Sequence, residues 1–497
     1  MNNLSSRKIL RSGRGEELFL VALVVYAASV SSIVSIQDGT HFALTWSIAT
    51  SHTFSLGNGL YAGQQYTTKL GGNVFSSLPP GLSFFGFVFV EMIHSLLPRS
   101  SSALVSEYAV AFLSAVIGAL TVYFFFLLSR LFAGERISSL LAILFAFGTG
   151  MWIYSRVYLP EGLATLLGMV AVYCVLAGLR SPPGERSYPL LLALSSGIAL
   201  GLMYTVDNMG IFFLPPLIIF LLASRRLYSA GSLIGGFILG AIPFAYYDLS
   251  TTGGLFTAPY GLGILGGIPQ TAYSLGNLLP GLYELLLSPQ SGLLLFSPVV
   301  LVSLVATSGP VRARLFAGGS APLFIALFLF TLIPFALQNP TTYLHNTLGP
   351  SELILGVPYL LLLGSGLELD RMRTGIIAAA ILGFFSFMVN GIVTLTTPVV
   401  NPLLGGALSD GSSYSFLQAN VQLFQIGGFS AWWSQFQQAS LFAYFVLAFP
   451  VFVLLVYSVD ILRNHRKLIV EEEGHENQQA TKEEAKAAAF YKQDLAR

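Results

Sequence analysis

Charged side chains are scarce in this sequence. Asp, Glu, Lys and Arg make up 9% of the 497 residues, while apolar side chains make up 54% and the mean hydropathy is +0.73. A soluble domain carries about 25% charged residues, so this composition excludes a soluble globular protein. Since a spanning helix needs ~20 mainly apolar residues, the length accommodates about 12 transmembrane helices. We therefore predict an all-α polytopic membrane protein.

Cysteine and the common catalytic motifs are also missing. The single cysteine, Cys174, lies in an apolar run, which excludes an intramolecular disulfide and a cysteine-based metal site. The sequence contains no HExxH, no P-loop, no GxSxG and no GxGxxG after a strand. A net charge of +1 gives no reason to expect nucleic acid as a partner.

The apolar runs predict where the chain crosses the membrane. Predicted spans lie near residues 17–36, 105–128, 138–156, 162–179, 190–205, 210–224, 231–248, 292–308, 321–337, 353–368, 375–397 and 440–462. Lys and Arg accumulate in cytoplasmic loops, and with these spans 21 of the 24 basic residues fall on one side. Both termini are therefore predicted to be cytoplasmic, and Lys69, Arg99 and Arg156 fall on the outer side.

The same charge count predicts that residues 80–97 form an external helix at the interface, because a crossing there would move most later basic residues outside. A long first external loop with interfacial helices follows from this. The predicted division is a cytoplasmic N-terminus (1–16), a transmembrane core (17–250) with the first external loop (37–104), a C-terminal transmembrane part (251–462) with external loops at 251–291, 338–352 and 398–439, and a charged cytoplasmic tail (463–497).

Asp38 is the first candidate for chemistry. It follows the first predicted span as an Asp-Gly pair, and a solvated turn explains it as well as a catalytic role does. Carboxylates are few in the predicted outer loops, and this one begins the first long loop. The next residues space Phe42 and Trp46 as in an amphipathic surface helix.

Glu161 and Arg156 lie at the outer corner between the third and fourth predicted spans. The order Pro160-Glu161 is typical of a simple helix start, where the dipole favours a negative charge, and is equally compatible with a catalytic role. Arg156 contradicts the positive-inside rule, so it needs a reason to be there. It could pair with Glu161 or hold an anion.

The other polar candidates have simpler explanations. Lys69 is either solvated or near a lipid phosphate. The external histidines show no metal-binding spacing, so interfacial hydrogen bonding explains most of them: His41, His52, His94 and His345. Asp207 is placed to cap the sixth span.

Several of these motifs occur together in one family. The aspartate after the first span, the run Ser76-Ser77-Leu78-Pro79-Pro80-Gly81-Leu82-Ser83, and Ser155-Arg156 through Pro160-Glu161 resemble the GT-C membrane glycosyltransferases. The nearest branch resembles protein O-mannosyltransferases and lipid A aminoarabinose transferases, the family 39-like group. A second block, from Asp248 to Gly253 and from Leu287 to Pro298, resembles a recurring stretch of prokaryotic members.

The resemblance implies an enzyme that moves a sugar from a polyprenyl-phosphate donor to a lipid, glycan or protein acceptor outside the cytoplasm, with inversion. It implies Asp38 as general base, with Glu161 as the second catalytic acid. The residues expected to bind the donor phosphate are Lys69, Arg156 and His345, and those expected to line the donor or acceptor site are His41, Tyr66, Pro80, Tyr158 and Asp207.

The sequence departs from the family pattern at two basic positions. Relatives carry a lysine before the proline of the Pro-Gly motif and an arginine before the tenth span, where this chain has Leu78-Pro79-Pro80 and Gly349-Pro350-Ser351. Lys69 and Arg156 are therefore the substitutes by default. Two alternatives stay open: a transporter or flippase for lipid-linked sugars, and a non-catalytic lipid-binding relative.

The resemblance also implies a location for the protein and whether it requires a cofactor. The expected location is a prokaryotic plasma membrane, in contact with its lipids and with the active site facing outward. No cofactor is predicted, and a divalent metal is compatible but not required, because the departing monophosphate is already a stable anion. The oligomeric state is open.

The predicted topology can be tested by labelling introduced cysteines. Cysteines at Gly134 and Gly184 should react with impermeant reagents only from the cytoplasm, because they lie in basic loops. Cysteines at Asn73 and Gly411 should react only from outside. Labelling of the Asn73 and Gly134 positions from the same side would contradict the topology.

Overall fold

The structure is a computed structural model that describes residues 13–56, 66–96, 102–181, 187–255, 273–289, 292–306, 320–338, 353–364, 373–396 and 416–463. In these ranges it is a helical bundle with one small β-hairpin. The N-terminal elements are α1 (Gly13–Ser29), α2 (Ile36–Ser51), β1 (Thr67–Leu70), β2 (Asn73–Ser76), α3 (Gly81–Leu96), α4 (Ala103–Arg130), α5 (Glu135–Gly148), α6 (Met151–Tyr154) and α7 (Pro160–Leu179).

The chain continues through α8 (Ser187–Val206), a 3-10 turn (Asn208–Phe213), α9 (Leu214–Ala223), α10 (Leu227–Gly240) and α11 (Ile242–Thr252). The C-terminal elements are a 3-10 turn (Leu275–Asn277), α12 (Leu278–Leu286), α13 (Leu293–Phe296), a 3-10 turn (Pro298–Val300), α14 (Leu301–Ala306), α15 (Ser320–Ala336), α16 (Val357–Leu363), α17 (Arg373–Thr396), α18 (Phe416–Gln425) and α19 (Ala439–Arg463).

Six of the described helices are long and apolar enough to cross a membrane, which confirms the predicted class. They are α4, α7, α8, the α10–α11 pair, the Gly375–Thr396 part of α17, and α19. The predicted span at 292–308 is instead broken into three short pieces, because Pro298 lacks an amide donor and begins a new turn. The first predicted span is shorter than expected and its helix ends at Ser29. The total of twelve spans stays a prediction.

Helices α8 and α10 cross with their backbones in contact. Glycines spaced four apart face each other at the crossing: Gly197 and Gly201 on α8, Gly236 and Gly240 on α10. A Cβ at Gly201 would lie 2.7 Å from the Ala241 amide nitrogen. In lipid, where apolar burial does not drive association, such small-residue seams let helices approach closely.

One end of the bundle carries ion pairs. Arg14 Nε lies 3.3 Å from a Glu135 carboxylate oxygen, and Arg136 Nε lies 3.7 Å from Asp460. These contacts join the start of α1, the start of α5 and the end of α19. The charge count placed the same three segments on one side of the membrane, and which side that is stays a prediction.

The opposite end is organised by the C-terminus of α1. The last carbonyls of a helix have no partner within it, and tryptophans supply donors here. The indoles of Trp432 and Trp433 donate to the Ala27 and Ala28 carbonyls at 3.1 and 2.6 Å, and the Trp432 amide donates to Val30 at 2.9 Å. The segment before α19 is thereby fixed to the exit of α1.

The predicted first external loop forms α2, the hairpin and α3. The strands pair antiparallel around Gly71-Gly72, both with positive φ, and Ser76 accepts a 2.8 Å bond from the Tyr247 hydroxyl. The surface-helix interpretation of α2 is wrong in one respect: Asp38 through Thr45 are all buried, because α3, α4 and β2 pack against this helix. The predicted helix at 80–97 exists as α3, and its interfacial position stays a prediction.

The α8–α10 crossing should not tolerate a methyl group. Gly201→Ala should destabilise the protein by roughly 1–3 kcal/mol, the usual cost of overpacking, because the added Cβ meets backbone atoms that cannot yield. Gly235→Ala on α10 is the control, since a Cβ there meets nothing within 4 Å. Thermal unfolding in detergent measures both, and an equal response of the two variants would contradict the backbone contact.

Candidate functional site

Asp38 is buried, with no exposed surface, at the start of α2. Ser35 is the N-cap residue, and its hydroxyl accepts a bond from the Asp38 amide while the Asp38 carboxylate accepts from the Ser35 amide, a capping box. Oδ1 accepts from the Ser35 amide (2.7 Å), the Ser35 hydroxyl (2.8 Å) and the Gly39 amide (2.9 Å). Oδ2 accepts from Val34 alone, at 2.9 Å. The solvated-turn interpretation of Asp38 is therefore wrong.

This environment sets the acidity of Asp38. Burial raises the pKa of its carboxyl to about 6, and the bonds from Val34, Ser35 and Gly39 limit the rise. The group is thus mostly ionised at neutral pH while being a stronger base than an exposed aspartate. Oδ2 keeps a lone pair for a further donor.

Arg156 lies in the turn between α6 and α7 and has no exposed surface. Its Nη2 donates to the Ser430 hydroxyl at 2.8 Å, while Nε and Nη1 are buried with no partner in the described part of the chain. Burial lowers the pKa of this guanidinium to about 9, so it stays charged at neutral pH. A buried cation with two free donors is arranged to receive an anion.

The turn that carries Arg156 is attached to both ends of α2. The Ser31 amide donates to the Arg156 carbonyl at 3.4 Å, just before α2 begins. Near its other end, the Thr45 hydroxyl lies 2.9 Å from the hydroxyl of Tyr158, which also bonds the Leu82 carbonyl at 2.9 Å. Tyr158 was predicted to line the site, but its hydroxyl is used in this packing.

Glu161 lies in the first turn of α7, where Pro160 occupies the first turn as predicted for a helix start. Its side chain is 9% exposed, and the positive end of the helix dipole favours its charge. Arg156 and Glu161 form no ion pair with each other in the described structure. Of the two options for Arg156, the described structure does not show the pairing with Glu161; the guanidinium bonds Ser430 instead, and anion binding stays a prediction.

His41 follows Asp38 by three residues on α2 and is completely buried. Neither ring nitrogen has a hydrogen-bond partner within the described residues. Its carbonyl accepts from the Thr45 hydroxyl (2.8 Å) and, across to α3, from the Ser83 hydroxyl (2.9 Å). The helix backbone is thus fixed while the imidazole is left without a partner.

The other predicted site residues are more peripheral. Lys69 is exposed on β1 opposite Val74, away from the buried groups. Tyr66 is half-buried before β1, and Pro80 is buried where α3 begins. Asp207 caps the 3-10 turn by accepting from the Met209 amide at 2.9 Å, and burial raises the pKa of its carboxyl. His345 lies outside the described residues.

An apolar groove begins two residues after Ser430. It has a volume of about 690 Å³ and is lined mainly by aromatic side chains, among them Trp432, Phe436, Phe442 and Phe445. Ser430, the partner of Arg156, precedes the first lining residue of this groove, Trp432, by two positions in the chain.

The sequence analysis predicted neither the Ser35–Asp38 capping box nor the Arg156–Ser430 contact. The capping box was readable, since Ser35 precedes Asp38 by the required three residues. Ser430 gave no signal, because 274 residues separate it from Arg156. The described residues contain no cluster of three or more His, Cys, Asp or Glu side chains suited to a metal.

Sequence comparison supplies the next observation. Residues 80–247 match the family model described as dolichyl-phosphate-mannose-protein mannosyltransferase. This match confirms the resemblance to GT-C membrane glycosyltransferases. The matched segment contains Pro80, Arg156, Tyr158, Glu161 and Asp207. No protein of curated function matches the chain in sequence.

The match to apo ArnT supports an ArnT-like fold. ArnT from Cupriavidus metallidurans in the apo state is 15% identical with a TM-score of 0.52, over 90% of this chain and 77% of that one. ArnT bound to undecaprenyl phosphate is also 15% identical, at a TM-score of 0.49 over 90% and 78%. An Archaeoglobus fulgidus oligosaccharyltransferase tethered to an acceptor peptide is 13% identical, at 0.47 over 89% and 56%.

Proposed function

We propose that this protein is an integral-membrane glycosyltransferase that moves a sugar from a polyprenyl-phosphate donor to an acceptor on the extracytoplasmic side. The observation that carries the proposal is Arg156, a buried guanidinium in the family-matched segment whose Nε and Nη1 have no partner among the described residues. A lipid-linked monophosphate supplies an anion of the right kind. The donor class follows from the family description, dolichyl-phosphate-mannose.

In the proposed reaction, the acceptor hydroxyl lies against Oδ2 of Asp38, the oxygen that accepts a single hydrogen bond. The hydroxyl oxygen attacks the anomeric carbon while its proton passes to the carboxylate. The bond between the anomeric carbon and the phosphate oxygen breaks, and polyprenyl phosphate leaves as an anion. One displacement inverts the anomeric carbon.

Arg156 acts on the leaving group in this scheme. The charge that develops on the phosphate oxygen meets a guanidinium already fixed by Ser430, so little reorganisation is needed. Lys69 is exposed, which favours a supporting role at the membrane surface over direct phosphate contact. Glu161 is the second acid of the proposed site, where it would orient the acceptor or the sugar.

The aromatic groove offers a place for the donor's apolar chain. A polyprenyl chain is long, unsaturated and uncharged, and the groove is lined by Trp432, Phe436 and Phe445. Since Ser430 bonds Arg156 and precedes the groove residue Trp432 by two positions in the chain, this arrangement supports an amphiphile with one anionic head and one apolar tail as the ligand. The acceptor is a lipid, glycan or protein.

The alternatives are a transporter or flippase for lipid-linked sugars and a non-catalytic lipid-binding relative. Transporters place ionisable groups near the middle of the bilayer, whereas Asp38, Arg156 and Glu161 lie at helix ends or turns. A lipid-binding relative would need the cation but not a carboxylate with raised pKa. Asp38 therefore favours the enzyme.

Measurements of donor binding and of thermal stability distinguish the proposed roles of Arg156 and Lys69. Arg156→Met should weaken binding of polyprenyl phosphate at least tenfold, because a charge-assisted contact contributes roughly 1.5–3 kcal/mol. Without lipid, the same variant should be as stable as the parent or more so, since it removes a buried unpaired charge.

Lys69→Ala is the matched control and should change donor affinity by less than about threefold, as for an exposed pair. Lipid-dependent thermal shifts measure both quantities. If Arg156→Met unfolds without lipid while Lys69→Ala loses donor binding, the two roles are reversed.

Asp38 is tested by rate and pH. Asp38→Asn should lower sugar transfer by roughly 10²–10⁴-fold, the usual contribution of a general base, with little effect on donor affinity. In the parent, kcat/KM should fall as the pH drops below about 6, because protonation removes the base. Transfer of labelled sugar by the purified protein gives both results.

Two controls accompany Asp38→Asn. Ser35→Ala removes the capping hydroxyl but keeps the carboxylate, so it should cost about 1 kcal/mol of stability and retain most of the activity. Glu161→Gln tests the other acid. Full loss in Glu161→Gln with near-normal transfer by Asp38→Asn would mean that Glu161 is the base.

A further inference from the structure

His41 is a buried polar group that the proposed reaction does not yet use. An imidazole shielded from water without a partner is costly, because its lost hydrogen bonds to water are not replaced. The ring is completely buried, and both nitrogens lack partners among the described residues. Polar side chains in this state are expected where a ligand supplies the missing bonds.

The position of His41 on α2 indicates what it would meet. Asp38, His41 and Thr45 are spaced i, i+3 and i+7, so they share one face of the helix. Thr45 on this face contacts Tyr158, two residues past Arg156. His41 therefore lies one helical turn along α2 from the carboxylate proposed to bind the acceptor hydroxyl.

In the proposed reaction the acceptor oxygen held at Asp38 bonds to the anomeric carbon, so the sugar ring lies within about one ring width of that carboxylate. Three residues along a helix advance about 4.5 Å, of the order of the width of one sugar ring. A neutral imidazole has one donor and one acceptor, which matches the two capacities of a hydroxyl group. Burial lowers the pKa of His41 to about 3, so the ring is neutral at pH 7.

We propose that His41 hydrogen-bonds a hydroxyl group of the sugar carried by the lipid-phosphate donor, and so selects which sugar is transferred. This inference rests on the proposed function. His41 takes no proton in the reaction, which leaves Asp38 as the base. Its effect is on recognition, through a bond that only a correctly placed hydroxyl completes.

The test uses the full-length protein with polyprenyl-phosphate mannose and its analogues that each lack one ring hydroxyl. The parent protein should bind and use one of these deoxy donors at least tenfold less well than the complete donor, since a site built for a hydroxyl rejects the analogue without it. His41→Phe should remove this difference between the two donors. It should lower kcat/KM for the complete donor and leave kcat/KM for that deoxy donor unchanged.

Two controls separate recognition from packing. His41→Phe should unfold at a temperature no lower than the parent, because it replaces an unpartnered imidazole by an apolar ring of similar shape. His41→Asn keeps a donor and an acceptor and should restore part of the discrimination. If His41→Phe does not fold, if all donors lose activity in proportion, or if the full difference between the two donors persists in His41→Phe, the inference is wrong.

Thermal shift by the same donors gives a readout that needs no turnover. If the complete and deoxy donors give different thermal shifts only when His41 is present, and the protein transfers no sugar, the proposed enzyme is wrong and the sugar contact is supported. If the protein transfers sugar but His41 has no effect on the difference between complete and deoxy donors, the enzyme is supported and the role of His41 is wrong. The two proposals therefore fail separately.

Discussion

The structure depends on how the C-terminus of α1 satisfies its last carbonyls. In an apolar surrounding these groups cannot rely on water, and Trp432 and Trp433 donate to Ala27 and Ala28 instead. The same contacts bring the neighbouring Ser430 to Arg156. The chain then turns from α1 into the Ser35 cap of α2, with the Ser31 amide bonded to the Arg156 carbonyl. A hydrogen-bonding requirement of one helix end thus assembles the proposed site.

The buried polar side chains of the proposed site differ in how many of their hydrogen-bonding atoms have partners. Asp38 accepts four hydrogen bonds from residues at the start of α2, so its burial is partly compensated. Arg156 keeps two free donors, and His41 has no side-chain partner in the described structure. Natural sequences break local rules mainly at functional sites. The satisfied carboxylate fixes the start of α2, and the unsatisfied cation and imidazole are the groups that a ligand would complete.

Composition and charge predicted the membrane class and most of the long helices, because each such helix needs a continuous apolar run that is visible in the sequence. The breaks at 292–306 were not predicted, since Pro298 was treated as part of the run. Asp38 follows α1, as the sequence predicted, but its burial was not predicted, because an Asp-Gly pair alone favours a turn. The Arg156–Ser430 contact joins residues 274 apart, a distance that no local pattern spans.

The ionisable groups of the proposed site lie where apolar helices meet polar turns, which suits a donor that is itself half apolar and half charged. A lipid-linked donor has an apolar tail that belongs in the membrane and a charged, hydrated head that does not. Asp38, Arg156 and Glu161 lie where helices begin or turn, so their polar backbone neighbours and the helix dipole reduce the cost of burying them. The aromatic groove beside Ser430 remains apolar. In the proposed reaction, the two halves of the donor would therefore meet matching surroundings within one fold, and the acceptor hydroxyl would approach the polar half.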